Sequence, residues 1–331
     1  MALYWIALAL LAMHNLPPTT SIDIGLCFLR RENDTHLSTQ PLAIGLLQQY
    51  KIEKVRIYDS DPWFLYSASN SSISVLVTIR NDDLIPIAYS QANATAWFND
   101  NLQPYIDFIL FPFIIAGNDA IPGPYAVYVR PALDNLQQVL TANGLSGMRV
   151  STAVSTKALR QSYFPPSIAT FSDSAVKHMT DVVAFLEKYS SPLLLNVYPY
   201  FEVAKQPKRE WLDFALFRSK DAVVKDGNLE YDNLLDYMVD AFRCAMEKVG
   251  STTLDVVVAE TGWPSAGNGD LTTPELAGTY NGNFMKHVLS LAGSPKRPGT
   301  YLEGYIYEMY NDEGHDFGVF YRNRSLVAPI F

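Results

Sequence analysis

The stretch Val256-Val257-Val258-Ala259-Glu260-Thr261-Gly262-Trp263-Pro264-Ser265 joins four apolar residues to a carboxylate and then to a sharp turn. A near-continuous apolar run is what a strand buried on both faces requires, and such strands belong to parallel sheets covered by helices. Its expected span is 255–259. Seven further runs read the same way, at 22–28, 54–57, 74–79, 113–116, 149–153, 193–197 and 305–310. Amphipathic stretches lie between them, at 41–50, 92–107, 124–142, 172–189, 231–249 and 274–291. In the fifth of these, Leu234, Leu235, Met238, Phe242 and Met246 fall at helical spacing and predict a stripe facing the core. Eight strands alternating with helices predict an α/β fold closed as a (β/α)₈ TIM barrel. The rival is a doubly wound open sheet, which would usually open with a Gly-rich phosphate loop; none follows the first strand. The segment 198–228 is too long for an ordinary connection. Its aromatic and basic residues predict a small subdomain inserted after the sixth strand, building one wall of a cleft.

The chain has 331 residues, 48% hydrophobic and 18% charged, with a net charge of −9. This is ordinary globular composition, and one domain over 21–331 is expected. The acidic balance leaves no electrostatic footprint for nucleic acid, and a neutral polymer is compatible with it. Twenty Tyr, 17 Phe and five Trp are present. Most of these rings are expected in the core, while the surplus of Tyr fits a carbohydrate cleft, where a ring stacks on a sugar and its hydroxyl bonds to it.

Residues 2–13 are apolar but too few to span a bilayer, and polar and small residues follow. Residues 1–20 therefore read as a signal peptide, and the sequons at Asn33, Asn70, Asn93 and Asn323 fit a secretory route. The expected location is extracellular or in the cell wall, with the vacuole as the alternative. The last residues lack the hydrophobic tail of a lipid-anchor signal, so no membrane anchor is expected, and the protein is expected to be a monomer. Cys27 and Cys244 give neither a disulfide framework nor metal-ligand spacing; both are expected as buried free thiols. No metal and no cofactor is expected.

In a barrel, function sits at the C-terminal ends of the strands. Glu260 would emerge there at the end of the seventh strand, with Gly262 and Pro264 turning the chain and Trp263 placed to wall the site. The plainer reading of Glu260 is an ion pair on the barrel rim. The fourth strand ends in Asn118-Asp119. A second acid at a separate strand end is what glycoside chemistry needs, one carboxyl protonating the leaving oxygen while the other attacks the anomeric carbon. Asp119 reads equally as a helix cap or turn residue. Other strand ends add Arg56, Tyr58 and Asp59, Asn196 and Tyr198, and Asn311 with Asp312. These groups serve either to keep an acid protonated beside an ionised nucleophile or to close the barrel with internal hydrogen bonds.

The Glu260–Ser265 motif and the apolar run before it resemble the signature of glycoside hydrolase family 17, the plant 1,3-β-glucanases and their relatives. The similarity extends through Ile24-Gly-Leu-Cys27, Val55-Arg-Ile-Tyr-Asp-Ser-Asp-Pro62, Asn196-Val-Tyr-Pro-Tyr-Phe201, Leu212-Asp-Phe-Ala-Leu-Phe217, Tyr280-Asn281, Pro295-Lys-Arg-Pro-Gly299 and Phe317-Gly-Val-Phe-Tyr321. It implies a (β/α)₈ fold and retaining hydrolysis of internal linkages in 1,3-β-glucan, without metal or cofactor. It also implies Glu260 as nucleophile and Asp119 at the position of the acid/base; Tyr58, Asn118, Asn196, Tyr198, Trp263 and Asp312 are expected around them as binding or supporting residues. The chain departs from the family pattern at three places. Asp119 stands where relatives normally carry Glu. Asn311-Asp312-Glu313 stands for a usual Asn-Glu, followed by a short loop over 314–316. Phe28-Leu29 stands for a common Tyr-Gly. Two functions follow as alternatives: a hydrolase weakened by the shorter acid, or a glucan-binding protein on a retired enzyme scaffold.

Overall fold

The computed structural model describes residues 22–30, 39–69, 71–161, 163–206, 208–312, 314 and 316–331. The signal-peptide expectation, the sequon asparagines Asn33 and Asn70, and Glu313 lie outside these residues. Eight parallel strands close a barrel: β1 (Ile22–Phe28), β2 (Ile52–Ile57), β3 (Ser74–Ile79), β4 (Phe113–Asn118), β5 (Arg149–Ser155), β6 (Leu193–Asn196), β7 (Val256–Thr261) and β8 (Gly304–Ile306). Each strand pairs with its neighbours in sequence, and β8 returns to β1 through Gly25–Tyr305 and Leu26–Ile306. The expected barrel is the observed one.

Two layers of apolar side chains explain why the strands read as continuous runs. Cys27, Leu76, Phe113, Ile115, Ala153, Leu194, Val257, Ala259 and Tyr305 fill the barrel interior. The alternate residues, among them Val55, Val75, Val77, Val154, Leu195 and Val258, face the surrounding helices. Every residue of β3 and of β7 is buried.

The helices are α1 (Thr39–Gln49), α2 (Pro62–Ala68), α3 (Leu84–Tyr89), α4 (Gln91–Asn101), α5 (Ala126–Ala142), α6 (Val176–Tyr189), α7 (Pro199–Lys205), α8 (Arg209–Ala215), α9 (Leu234–Lys248) and α10 (Pro274–Leu289). The expected stripe on α9 is buried, as are the residues between its members. The short α2 and α3 are additions to the expected pattern. Helix α2 is started by Asp61, whose carboxylate accepts from the backbone N–H of Trp63 at 2.8 Å and of Phe64 at 3.3 Å, with Pro62 at the first helical position. Among the described residues no helix is long and apolar enough to cross a membrane.

The segment 198–228 contains α7, α8 and the first strand of a hairpin, Val224–Asp226 paired with Leu229–Tyr231. It is the folded insertion expected after the sixth strand. One strand is shorter than its sequence suggested. The apolar run to residue 310 stops forming regular strand at Ile306, because the Glu308 N–H turns to the Phe317 carbonyl and Tyr310 pairs with Phe320. Residues 308–310 are thereby tied to 317–320, while the Tyr307 and Met309 N–H groups still bond to Thr261 and Cys27.

Candidate active site

Glu260 sits near the C-terminal end of β7, only 6% exposed. Three donors meet its two oxygens. Tyr58 Oη donates to Oε1 at 2.7 Å, Arg56 Nη1 donates to the same oxygen at 3.0 Å, and Tyr198 Oη donates to Oε2 at 2.7 Å. These groups come from the ends of β2 and β6, so barrel closure is what assembles them. Burial pushes both phenols well above their ordinary value, and the Glu260 charge adds to it. Both therefore remain O–H donors.

Arg56 is the centre of the arrangement and is fully buried. Its guanidinium donates to Thr78 Oγ1 at 3.2 Å, Asn196 Oδ1 at 3.0 Å, the Ala259 carbonyl at 3.1 Å and Asn118 Oδ1 at 2.7 Å, besides Glu260. Burial opposes its charge, but the Glu260 charge favours it, and the group is held protonated. A planar fork of five N–H groups suits such a bridging task, whereas a lysine has no equivalent geometry.

Through Arg56, Asn118 and Asn196 link Glu260 to Asp119. Asn196 Nδ2 donates to Asn118 Oδ1 at 2.8 Å and to Asp119 Oδ1 at 3.1 Å. Asn81 clamps the backbone of Asn118, accepting from its N–H at 2.9 Å and donating to its carbonyl at 3.0 Å. Burial, and then the Glu260 charge, raise the Asp119 carboxyl above its ordinary value; Ser155, Lys157 and Asn196 pull the other way. A carboxyl shifted toward its protonated form at one strand end, with a second acid at another, is the arrangement that acid-assisted displacement needs. Asp119 has φ +50°, in the left-handed region that Asp and Asn enter more readily than most residues.

The turn after Glu260 works by close approach. A Cβ at Gly262 would lie 2.3 Å from the Tyr307 carbonyl, so only glycine lets β7 and the β8 end meet there. Tyr307 stands edge-on to both Tyr58 and Tyr198, at 6.2 and 6.1 Å between ring centroids. Above it Tyr198, Phe201 and Phe317 form an aromatic wall, with centroids 5.5 to 6.1 Å apart, and Phe201 is 48% exposed.

The site residues expected from sequence divide into three groups. Glu260, Asp119, Tyr58, Asn118, Asn196 and Tyr198 share one hydrogen-bonded network. Trp263 requires a correction: it is fully buried, donates Nε1 to the Leu271 carbonyl at 2.8 Å, and packs on Tyr200 and Tyr280. It backs the wall instead of lining it, because the turn at Gly262 carries it away from the mouth. Asp312 lies further along the chain beyond β8 and pairs with Arg322 at 2.8 Å. Phe28 is also buried, stacked on Phe64 at 4.8 Å. Arg56 is expected only as a polar strand end, Phe201 falls among the aromatics of the segment expected to wall the cleft, and Tyr307 and Phe317 are not among the expected site residues. For Arg56 a signal was present: a lone cation between Val55 and Ile57 in a barrel strand must be paired inside.

A family model described as glycosyl hydrolases family 17 matches residues 24–327. A probable glucan endo-1,3-beta-glucosidase of Arabidopsis thaliana is 39% identical over 303 residues, which cover 89% of this chain and 84% of that one. Lichenase-2 of Hordeum vulgare is 35% identical over 320 residues, covering 95% of this chain and 99% of its own. Among solved structures, a beta-1,3-glucanase and allergen of Cryptomeria japonica pollen superimposes with a TM-score of 0.86 at 36% identity, covering 93% of this chain and 98% of that chain.

Proposed function

The chain belongs to the glycosyl hydrolases of family 17, and from that premise we propose that it cleaves internal linkages of 1,3-β-glucan by a retaining double displacement. The observation that carries this reading is the single network holding Glu260 by Tyr58, Arg56 and Tyr198 and reaching Asp119 through Asn196.

In the first step Asp119 protonates the glycosidic oxygen as Glu260 attacks the anomeric carbon. In the second, Asp119 takes a proton from water, which releases the sugar from Glu260. Asn118 spends its Oδ1 on Arg56 and Asn196, which leaves Nδ2 as a donor for a sugar hydroxyl. The exposed ring of Phe201, with Phe317 beside it, offers an apolar face to the glucan.

Asp119 is one methylene, about 1.5 Å, shorter than the glutamate of relatives. Misplacement on that scale costs about 10²-fold, so the rate is set below what the scaffold would support with glutamate. The shortened acid also favours a second reading, a glucan-binding protein that turns over little. We place the protein outside the cell or in the cell wall, on the apolar leader.

Release of reducing ends from linear 1,3-β-glucan by wild type, Asp119→Glu and Glu260→Gln separates the two readings. Slow but clear wild-type activity, abolished in Glu260→Gln while glucan binding survives, supports the hydrolase. A silent wild type with activity restored in Asp119→Glu points to a retired acid on a sound scaffold. Unchanged activity in Glu260→Gln removes the nucleophile assignment.

A further inference from the structure

Two of the four sequons place their asparagine among the described residues, and their surroundings differ. Asn323 sits in an exposed turn over 321–325, closed by Arg324 N–H to the Tyr321 carbonyl at 2.8 Å and Tyr321 N–H to the Ser325 carbonyl at 2.9 Å. Phe320 and Leu326 pair in an antiparallel bridge beneath it, so Asn323 stands at the tip of a hairpin. Its Oδ1 accepts from both the N–H of Ser325 at 3.0 Å and the hydroxyl of Ser325 at 2.7 Å. The sequon hydroxyl is thus engaged with the asparagine's own amide. Among the described residues Nδ2 has no partner.

Asn93 lies in the first turn of α4. Its Nδ2 donates to the Pro86 carbonyl at 3.0 Å, its N–H is capped by Ser90 Oγ at 3.2 Å, and the sequon hydroxyl of Thr95 donates to Gln91 at 2.9 Å. Modification there would put a glycan on the nitrogen that ties α4 to Pro86 of α3.

We propose that Asn323 is an N-glycosylation site of this protein and that Asn93 is left bare. The inference rests on the secretory reading of the leader. The donor is an oligosaccharide carried on a lipid pyrophosphate. A bond forms between Asn323 Nδ2 and the anomeric carbon, the carbon–oxygen bond to pyrophosphate breaks with the electron pair leaving on oxygen, and the amide gives one proton to the transferase. The sugar then extends from an exposed tip, where bulk is tolerated and solubility gains.

The test expresses the full chain in a eukaryotic host twice, once with its own leader and once with an unrelated secretory leader on residues 21–331. Secreted wild type, Asn323→Gln, Ser325→Ala and Asn93→Gln are treated with an N-glycan amidase in isotopically labelled water, and the peptides carrying each of the four sequons are mapped by mass. The expected result is label at Asn323 in wild type, its loss in Asn323→Gln and in Ser325→Ala, and an unchanged pattern in Asn93→Gln. An unmodified Asn323 in secreted protein, or label at Asn93, overturns the proposal. Retention inside the cell with the native leader alone overturns the secretory reading and leaves the site result intact.

Discussion

At the scale of single residues, the different tasks proposed for the two acids follow from their neighbours. Glu260 receives three donors, while Asp119 is half-buried and receives Asn196. The raised Asp119 value keeps the proposed general acid protonated to higher pH than an ordinary aspartate. Activity should then fall as pH rises through that value, and Asp119→Asn should lose this limb together with about 10²- to 10⁴-fold in rate. Lys157 is one of the groups holding the carboxyl down. Lys157→Met should therefore move the basic limb of kcat/KM to higher pH; a downward shift, or none, would show that Asp119 does not set it.

Arg56 makes a second test possible at this scale. Arg56→Lys keeps the charge but loses the fork that joins Asn118, Asn196 and Glu260. The expected result is a fall in kcat of about 10²-fold with a smaller change in KM, since the loss is of position and not of substrate contact. A pure KM effect would argue against this.

At the scale of elements, legibility followed burial. Strands buried on both faces announce themselves as apolar runs, and seven of the eight expected strands lie within about two residues of the observed ends. The eighth failed because hydrophobic composition alone cannot show where Glu308 leaves the ladder for Phe317. Trp263 was misplaced for a related reason: a turn fixes where the chain goes next, and the Gly262 approach to Tyr307 was not visible in the motif.

Helix α9 carries a prediction that its apolar stripe does not suggest. Asp240 is fully buried there, accepting from the Lys296 N–H at 2.9 Å and Tyr231 Oη at 3.2 Å, with Arg243 at 3.6 Å. Burial pushes its carboxyl up to about 6. The unfolded chain releases that proton near pH ~3.9, so between these values the folded state binds more protons. Stability is fully present below the lower value and is lost as pH rises through the upper one, by roughly 2–3 kcal/mol. Denaturant midpoints measured between about pH 4 and 6 should fall in wild type and stay flatter in Asp240→Asn.

At the scale of the whole molecule, the barrel is the device that makes chemistry from distant sequence. Arg56 and Glu260 are 204 positions apart, and Asn196 lies 77 from Asp119. The strand pattern made the fold readable, and the Glu260 motif made that carboxyl's place at the end of β7 readable. The network was only partly readable, because which strand-end side chains turn inward is settled by closure. If the network performs a double displacement, the newly freed anomeric centre must keep its configuration. The most direct measurement follows a 1,3-β-linked oligosaccharide by proton NMR during its first turnovers. The account predicts β-anomer first, with α-anomer appearing only through later mutarotation. An α-anomer at the outset would contradict Glu260 as nucleophile, and no product at all would contradict the assignment of hydrolysis to this site.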